Sequence, residues 1–424
     1  PFFITFAPAM IHETPIHIKT PVWIELLLFL LTIAPQLKAQ FQEQVLMTPT
    51  TIDTTDYRRL YVAVDNLSFF KDNEYEGSFV KGYTLPGLWI EPKVLYNPLP
   101  NVHLEAGLHM LIYDGANKYP CFSYEDIATW KADQYQKGTH LLPFFRAQVA
   151  LNKHLDLILG NIYGGAHHKL IEPLYNPEAN LTADPEAGVQ ILLDTKPFTL
   201  DSWVNWQSFI FKGDGHKEVF TYGLSSRFRI NDESSRYHIY FPFQGVIQHR
   251  GGEIDTIYTN SIQTWMNGSV GAGFTWNVHH RKFHRLNLET DLTGFYQEAG
   301  SVLPYSKGWA WYMKASADVD HFRFKASYWH NKRFISLFGN QMYSSMSSEK
   351  EHFLYIRPKM VTAGMEYSLT LGKGYTLGFD CDIFHHFACD RKDLDGVISH
   401  EKTSTSFSGG VFLRINPSFL LKQF

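Results

Sequence analysis

The feature that most constrains this chain is a hydrophobic alternation of period two, which recurs from about residue 57 almost to the last residue. In HLDLILGNIYG, Leu155, Leu157, Leu159 and Tyr163 share one face while His154, Asp156 and Gly160 share the other. In GWAWYMKASADVD, Trp309, Trp311, Met313, Ala315, Ala317 and Val319 oppose Tyr312, Lys314, Ser316 and Asp318. LNLETDLTGF, FRFKASYW and MVTAGMEYSLTL repeat the pattern. Side chains alternate across a β-strand, whereas a helix would need a repeat of 3.6 residues. The chain reads as strands, and as very little else.

Cut at its breaks, it gives about sixteen strands, from 57–67 and 82–97 through 353–371, 374–388 and 403–416. The breaks alternate in length. After even-numbered strands they are short (PLPN, NK, KP, DESS, GK), with HHRKF intermediate; after odd-numbered strands they are longer, at 68–81, 115–140, 165–185, 250–261 and 333–352. Short turns at one end and long loops at the other are the habit of a transmembrane antiparallel β-barrel, with periplasmic turns and extracellular loops.

The beginning of the sequence agrees with export. Met10 is a plausible start, followed by a segment with Lys19, the apolar run VWIELLLFLLTIAP, and QLKAQ. That is the layout of a secretory signal, which predicts a leader over 1–39, a periplasmic segment over 40–56 and a single barrel over 57–424. No later apolar run reaches the roughly 20 residues that a spanning helix requires. An exported chain without such a helix is either soluble or a barrel, because only helices and closed barrels satisfy their backbone in lipid. An aromatic content of 16% and a slightly polar mean hydropathy of −0.21 suit a wide lipid-facing surface alternating with a polar interior. A net charge of −4 gives no reason to expect nucleic acid as a partner, and three cysteines make no disulfide framework.

The strand and turn asymmetry, the leader ending in KAQ, and the final segment VFLRINPSFLLKQF together resemble Gram-negative outer-membrane β-barrel proteins of the porin type. In that segment Val411, Leu413, Ile415 and Phe419 match the alternating last strand of the class, with Phe424 terminal, although Pro417 interrupts the ladder. FFKDNEY with GYTLPG resembles Bacteroidota outer-membrane sequences. The resemblance implies an all-β barrel in the outer membrane, in contact with outer-membrane lipid and small polar solutes. It also implies dependence on barrel-assembly machinery and a capacity to associate as a homo-oligomer. Aromatics near strand ends (Tyr96, Tyr113, Tyr163, Trp203, Trp265, Trp276, Trp309, Tyr355 and Tyr375) read as interfacial girdles.

Parity assigns the chemistry to the lumen. The lumen-lining candidates are Glu91, Lys93, Glu105, Arg146, Asp156, Arg227, Arg229, Glu289, Asp291, Lys314, Asp318, Arg323, Lys325, Glu366, Asp380, Asp382, His386 and Arg414. Both signs occur in comparable number, which predicts a weakly selective channel wall or a wall stiffened by mutual salt bridges. The glycine-rich stretch GNIYGGAHHKLIEPLYNP offers His167, His168 and Lys169 as loop candidates, either in a segment folded into the pore or in an ordinary extracellular loop. The stretch SSMSSEKEH at 344–352 reads as solvated surface.

In CDIFHHFAC, helical spacing would gather zinc ligands, but on a strand Cys381 and Cys389 lie about 26 Å apart. No metal or cofactor is therefore expected. A hydrolase needs an activated nucleophile, and no His-x-Ser or Ser-x-His pair is present, while Ser399 and His400 point to opposite faces. These points favour a non-enzymatic, porin-like channel for passive diffusion of small polar solutes. The alternatives are a closed-lumen structural or assembly barrel and, more weakly, a membrane-embedded hydrolase.

Overall fold

The computed structural model describes residues 41–114, 138–252, 262–278, 282–350, 353–393 and 395–424; the expected leader and most of the 115–140 loop lie outside them. The wall begins with β1 (Arg59–Glu74), β2 (Tyr83–Leu99), β3 (Val102–Tyr113), β4 (Gly138–Asn152), β5 (Leu155–Asn161), β6 (Ala187–Asp194) and β7 (Phe198–Ser208). It continues through β8 (Val219–Arg229), β9 (Tyr237–Arg250), β10 (Gln263–Asn277), β11 (Phe283–Ala299), β12 (Lys307–Val319) and β13 (Phe322–Lys332). After the short β14 (Leu354–Ile356) come β15 (Lys359–Gly372) and β16 (Tyr375–His386). Beyond β17 (Cys389–Lys392) and β18 (Ile398–Glu401), the last wall strand is β19 (Ser404–Ile415), extended by β20 (Ser418–Gln423).

Every wall strand is antiparallel to its neighbours, and the sheet closes on itself. Asn66 of β1 faces Ile415 of β19, and further along Ala63 faces Ser418 of β20. Counting β19 and β20 as one strand interrupted at Asn416–Pro417, the barrel has sixteen strands. Pro417 lacks an N–H for the ladder but keeps its carbonyl, which accepts from the Val64 N–H at 3.2 Å. The break in the final strand is therefore a local kink, and pairing resumes beyond it. The predicted strand 353–371 is two elements. β14 leaves the wall and joins β17 and β18 in a separate three-stranded sheet.

Outward positions are apolar and solvent-exposed in the isolated chain: Phe70, Leu141, Phe145, Phe243, Val270, Leu292 and Val411 all stand on the outer surface. An exposed apolar band of this extent is stable only against lipid, and closure satisfies the backbone within it. No helix among the described residues is long and apolar enough to cross a membrane. The protein is an outer-membrane barrel, with turns such as 100–101, 320–321 and 373–374 at one end and long connections at the other.

Much of the described interior holds the chain's own segments. At one end Phe41 and Val45 sit at 4% and 0% exposure, packed with Leu67, Leu85 and Phe412 of the wall. Gly378 makes this possible, because a Cβ there would lie 2.7 Å from the Phe41 ring and 2.8 Å from Val45. From the long-loop end, the 162–186 and 333–350 connections fold inward. Ile171, Leu174, Phe334, Leu337 and Tyr343 join Trp265, Tyr312 and Trp329 in one buried cluster. Ser344, Ser345 and Ser347, read as surface from sequence, are buried with their hydroxyls satisfied. Ser345 bonds Asn331, Ser347 donates to the Ser78 carbonyl at 2.5 Å, and Ser344 accepts from the Met346 N–H at 3.3 Å. Polar residues enter a core when every polar atom finds a partner, a condition that composition does not reveal.

The predicted girdle divides accordingly. Trp309 and Tyr375 are exposed on the outside, whereas Tyr113, Tyr163, Trp203, Trp265 and Tyr355 are buried inside the barrel. Proximity to a strand end does not decide which face a ring takes when loops fold back into the lumen and give inward aromatics something to pack against.

Candidate functional site

The inward charges form paired networks. Glu91 bonds Lys93 at 2.9 Å and His109 at 2.9 Å; Lys93 also meets Glu105 at 3.1 Å, and Glu105 meets Arg146 at 2.8 Å. Arg146 further donates to the Asn161 and Ile162 carbonyls, anchoring the start of the inward loop. Glu289 pairs with Lys314 at 2.7 Å, beside Asp291, and Arg227 stacks over Tyr240. Asp318 holds both Arg323 and Arg285, and Asp156 accepts from Gln148 at 2.8 Å. Arg414 grips Asp65 through two 2.6 Å bonds and reaches the Val45 carbonyl. His386 is buried, donating to the Met342 carbonyl and stacked on Phe79. Arg229 instead lies at the short-turn rim, bridging Asp194 and Glu233. Buried charges persist only when paired in this way.

The loop candidates separate into three different environments. Gly165, at φ +60°, begins a short 3-10 turn, Gly165–His168, and its N–H donates to Glu186 Oε1 at 2.9 Å. Gly164 leaves room for the same carboxylate, since a Cβ there would sit 2.8 Å from Oε1. Lys169 adopts φ +53°, ends the turn and points to solvent.

His167 turns toward the amino-terminal segment, accepting at Nε2 from the Thr48 N–H at 2.9 Å, with Nδ1 3.0 Å from the Gly164 carbonyl. Burial without a carboxylate pushes His167 down to about 4, so it is neutral. His168 turns the other way, with Nδ1 2.7 Å from Asp201 Oδ2 and Nε2 3.3 Å from Glu186 Oε2. Burial opposes its charge, but the Asp201 and Glu186 carboxylates outweigh burial and push it up to about 9. The His168 cation in turn holds Glu186 below its usual value despite burial.

Three further contacts hold His168 in place. Trp203 stacks on its ring at 3.4 Å and 7°, and Gly223 opposite leaves space for the indole, since a Cβ there would lie 2.1 Å from it. Gln190 donates to Asp201 Oδ1 at 2.8 Å, so the carboxylate aimed at His168 is itself oriented. His168 and Glu186 then line a cavity of about 220 Å³, walled by Leu142, Leu170, Tyr175, Trp203, Val246 and Phe338. Asp201 stands behind the histidine, outside that lining. The arrangement presents a proton donor and a carboxylate to an apolar cavity beneath the long loops.

Of this cluster, sequence reading singles out His168 alone as a site residue. Asp201 and Glu186 are 33 and 18 positions away, on β7 and in the inward loop. The available signal was Asp201 two residues before Trp203, which places both on one face of a strand.

The chain matches the family described as lipid A 3'-O-deacylase-type over residues 52–424. No curated protein matches. Among solved structures, it is similar to the outer membrane protein OprD of Pseudomonas aeruginosa, with 10% identity, TM-score 0.46, and coverage of 89% of this chain and 99% of that one. Pseudomonas aeruginosa OpdQ gives 8%, 0.45, 85% and 99%, and Vibrio cholerae OmpT gives 8%, 0.42, 84% and 96%. The family match overturns the expectation that the chain is no enzyme. That expectation rested on finding no His and Ser two residues apart, and a site assembled across strands and an inward loop escapes such a test. Matched over nearly the whole barrel, the chain belongs to the lipid A 3'-O-deacylase-type family.

Proposed function

We propose that this barrel hydrolyses an O-linked acyl ester of a lipid A-type glycolipid in the outer leaflet. The observation that carries the reading is the His168–Glu186 pair, braced by Asp201 and facing an apolar cavity, in a chain of this family. The cavity takes the acyl chain, its aliphatic and aromatic lining replacing lipid around the hydrocarbon. Water attacks the ester carbonyl and gives its proton to Glu186, while the His168 imidazolium donates to the departing alkoxide oxygen. A C–O bond to water forms as the ester C–O bond breaks. Glu186 then returns its proton to His168 across the 3.3 Å contact, leaving a fatty acid and an alcohol. Asp201 positions the ring without touching the substrate, while Trp203 both braces the ring and walls the acyl-chain cavity.

The test is mass spectrometry of a hexa-acylated lipid A incubated with the folded barrel in mixed micelles. A mass loss equal to one acyl chain, with the matching free fatty acid, supports the reading; unchanged lipid A counts against it. A second reading, passive diffusion of small polar solutes, is favoured by the mixed-charge wall. The inward segments weigh against it, and single-channel conductance in planar bilayers separates the two.

A further inference from the structure

We propose that a second interior chamber, away from His168, binds a small primary ammonium ion. The chamber has a volume of about 50 Å³, room for a small ion, and lies between β1, β13, β15, β16 and β19, with the amino-terminal segment on one side. Five carboxylates line it, against the ammonium groups of Lys71 and Lys325. Lys71 lies within 3.2 Å of both Asp380 oxygens, and Lys325 meets Glu366 at 2.9 Å, Asp382 at 3.3 Å and Glu172 at 3.8 Å. The next cation along β13, Arg323, is bound to Asp318. Glu178 accepts from Tyr83 and from Asn73.

One carboxylate oxygen is left over. Glu366 Oε2 is buried without a hydrogen-bond partner, on a side chain 4% exposed that lines the chamber. A buried carboxylate oxygen without a donor is costly, and a cation with N–H groups meets both its charge and its lone pairs. Among the described residues no group of three or more His, Cys, Asp or Glu side chains could hold a metal ion. Beside the carboxylates the walls carry aromatic rings, Tyr75, Phe384 and Phe412 among them, surfaces that suit an alkyl stem and the face of a cation. Lys325 already shows the mode, one ammonium held among three carboxylates. A short alkylammonium or diamine repeats it.

The experiment is isothermal titration of the folded full-length barrel with putrescine at pH 7, with 1,4-butanediol as the uncharged control. Saturable binding of putrescine and none of the diol is expected, with affinity falling at least tenfold in Glu366→Gln and in Asp382→Asn. Heat-modifiable migration on gels verifies that each variant is folded. The proposal fails if putrescine does not saturate, if the diol binds equally, if both folded variants keep wild-type affinity, or if calcium chloride binds and excludes putrescine. The two wild-type arms decide the matter even if a variant does not fold.

Discussion

At Gly223 the absence of a side chain permits the Trp203 indole to lie flat, and the flat indole holds the His168 ring. Gly223→Ala forces the ring aside. We expect a loss of about 1–3 kcal/mol in unfolding free energy by urea titration, in the range of an overpacked core, and a misaligned His168. The two adjacent histidines respond to pH in opposite directions. His168 has a folded value raised from 6.5 to about 9, so its contribution is fully present below 6.5 and is lost as pH rises through about 9. His167, lowered to about 4, contributes above 6.5 and loses its contribution as pH falls toward 4. The stability difference between wild type and His168→Gln therefore shrinks from pH 6.5 to 9, and that for His167→Gln shrinks from 6.5 to 4. Each spans on the order of 3 kcal/mol, read by urea unfolding at stepped pH. GGAHHK marked these residues in the sequence, but their opposite states depend on Asp201, Glu186 and Thr48, which only the folded loop brings near.

At the scale of elements, the strands were legible because lipid outside and charge inside enforce a period of two. The barrel count followed, since each strand ends in a break of recognisable length. The inward segments were not legible. A loop that fills a lumen carries the same Ser, Asn and Gly as one in water, and it differs only in having its polar atoms paired. The seam between β1 and β19 shows how a charge pair fixes such a segment. Arg414 neutralises Asp65 and donates to the Val45 carbonyl. Asp65→Ala leaves that guanidinium buried without its counter-charge. We expect a loss of about 3–5 kcal/mol, seen as a lower midpoint of heat-modifiable unfolding, with the amino-terminal segment becoming sensitive to protease.

For the whole molecule, the class and compartment could be read from the sequence, whereas the lumen could not. Parity locates charges on the inner wall but does not say whether water or protein faces them. Here much of that space holds the chain's own loops and amino-terminal segment, with chambers such as those at His168 and at Glu366 between them. The expectation of a non-enzymatic channel rested on a mixed-charge wall and on finding no local His and Ser pair, and the family match overturns its non-enzymatic part.

The central claim is that His168 works as an acid in ester hydrolysis, and the most direct measurement is the rate of fatty-acid release from lipid A against pH. Wild type should hold its rate to about pH 9 and lose it above, as the imidazolium loses its proton. His168→Gln, folded by gel mobility, should fall at least a hundredfold below about pH 9, in keeping with the loss of a general acid, and the gap should close above it. Equal rates for the two proteins below about pH 9, or a rate that continues to rise beyond it in wild type, would contradict the account.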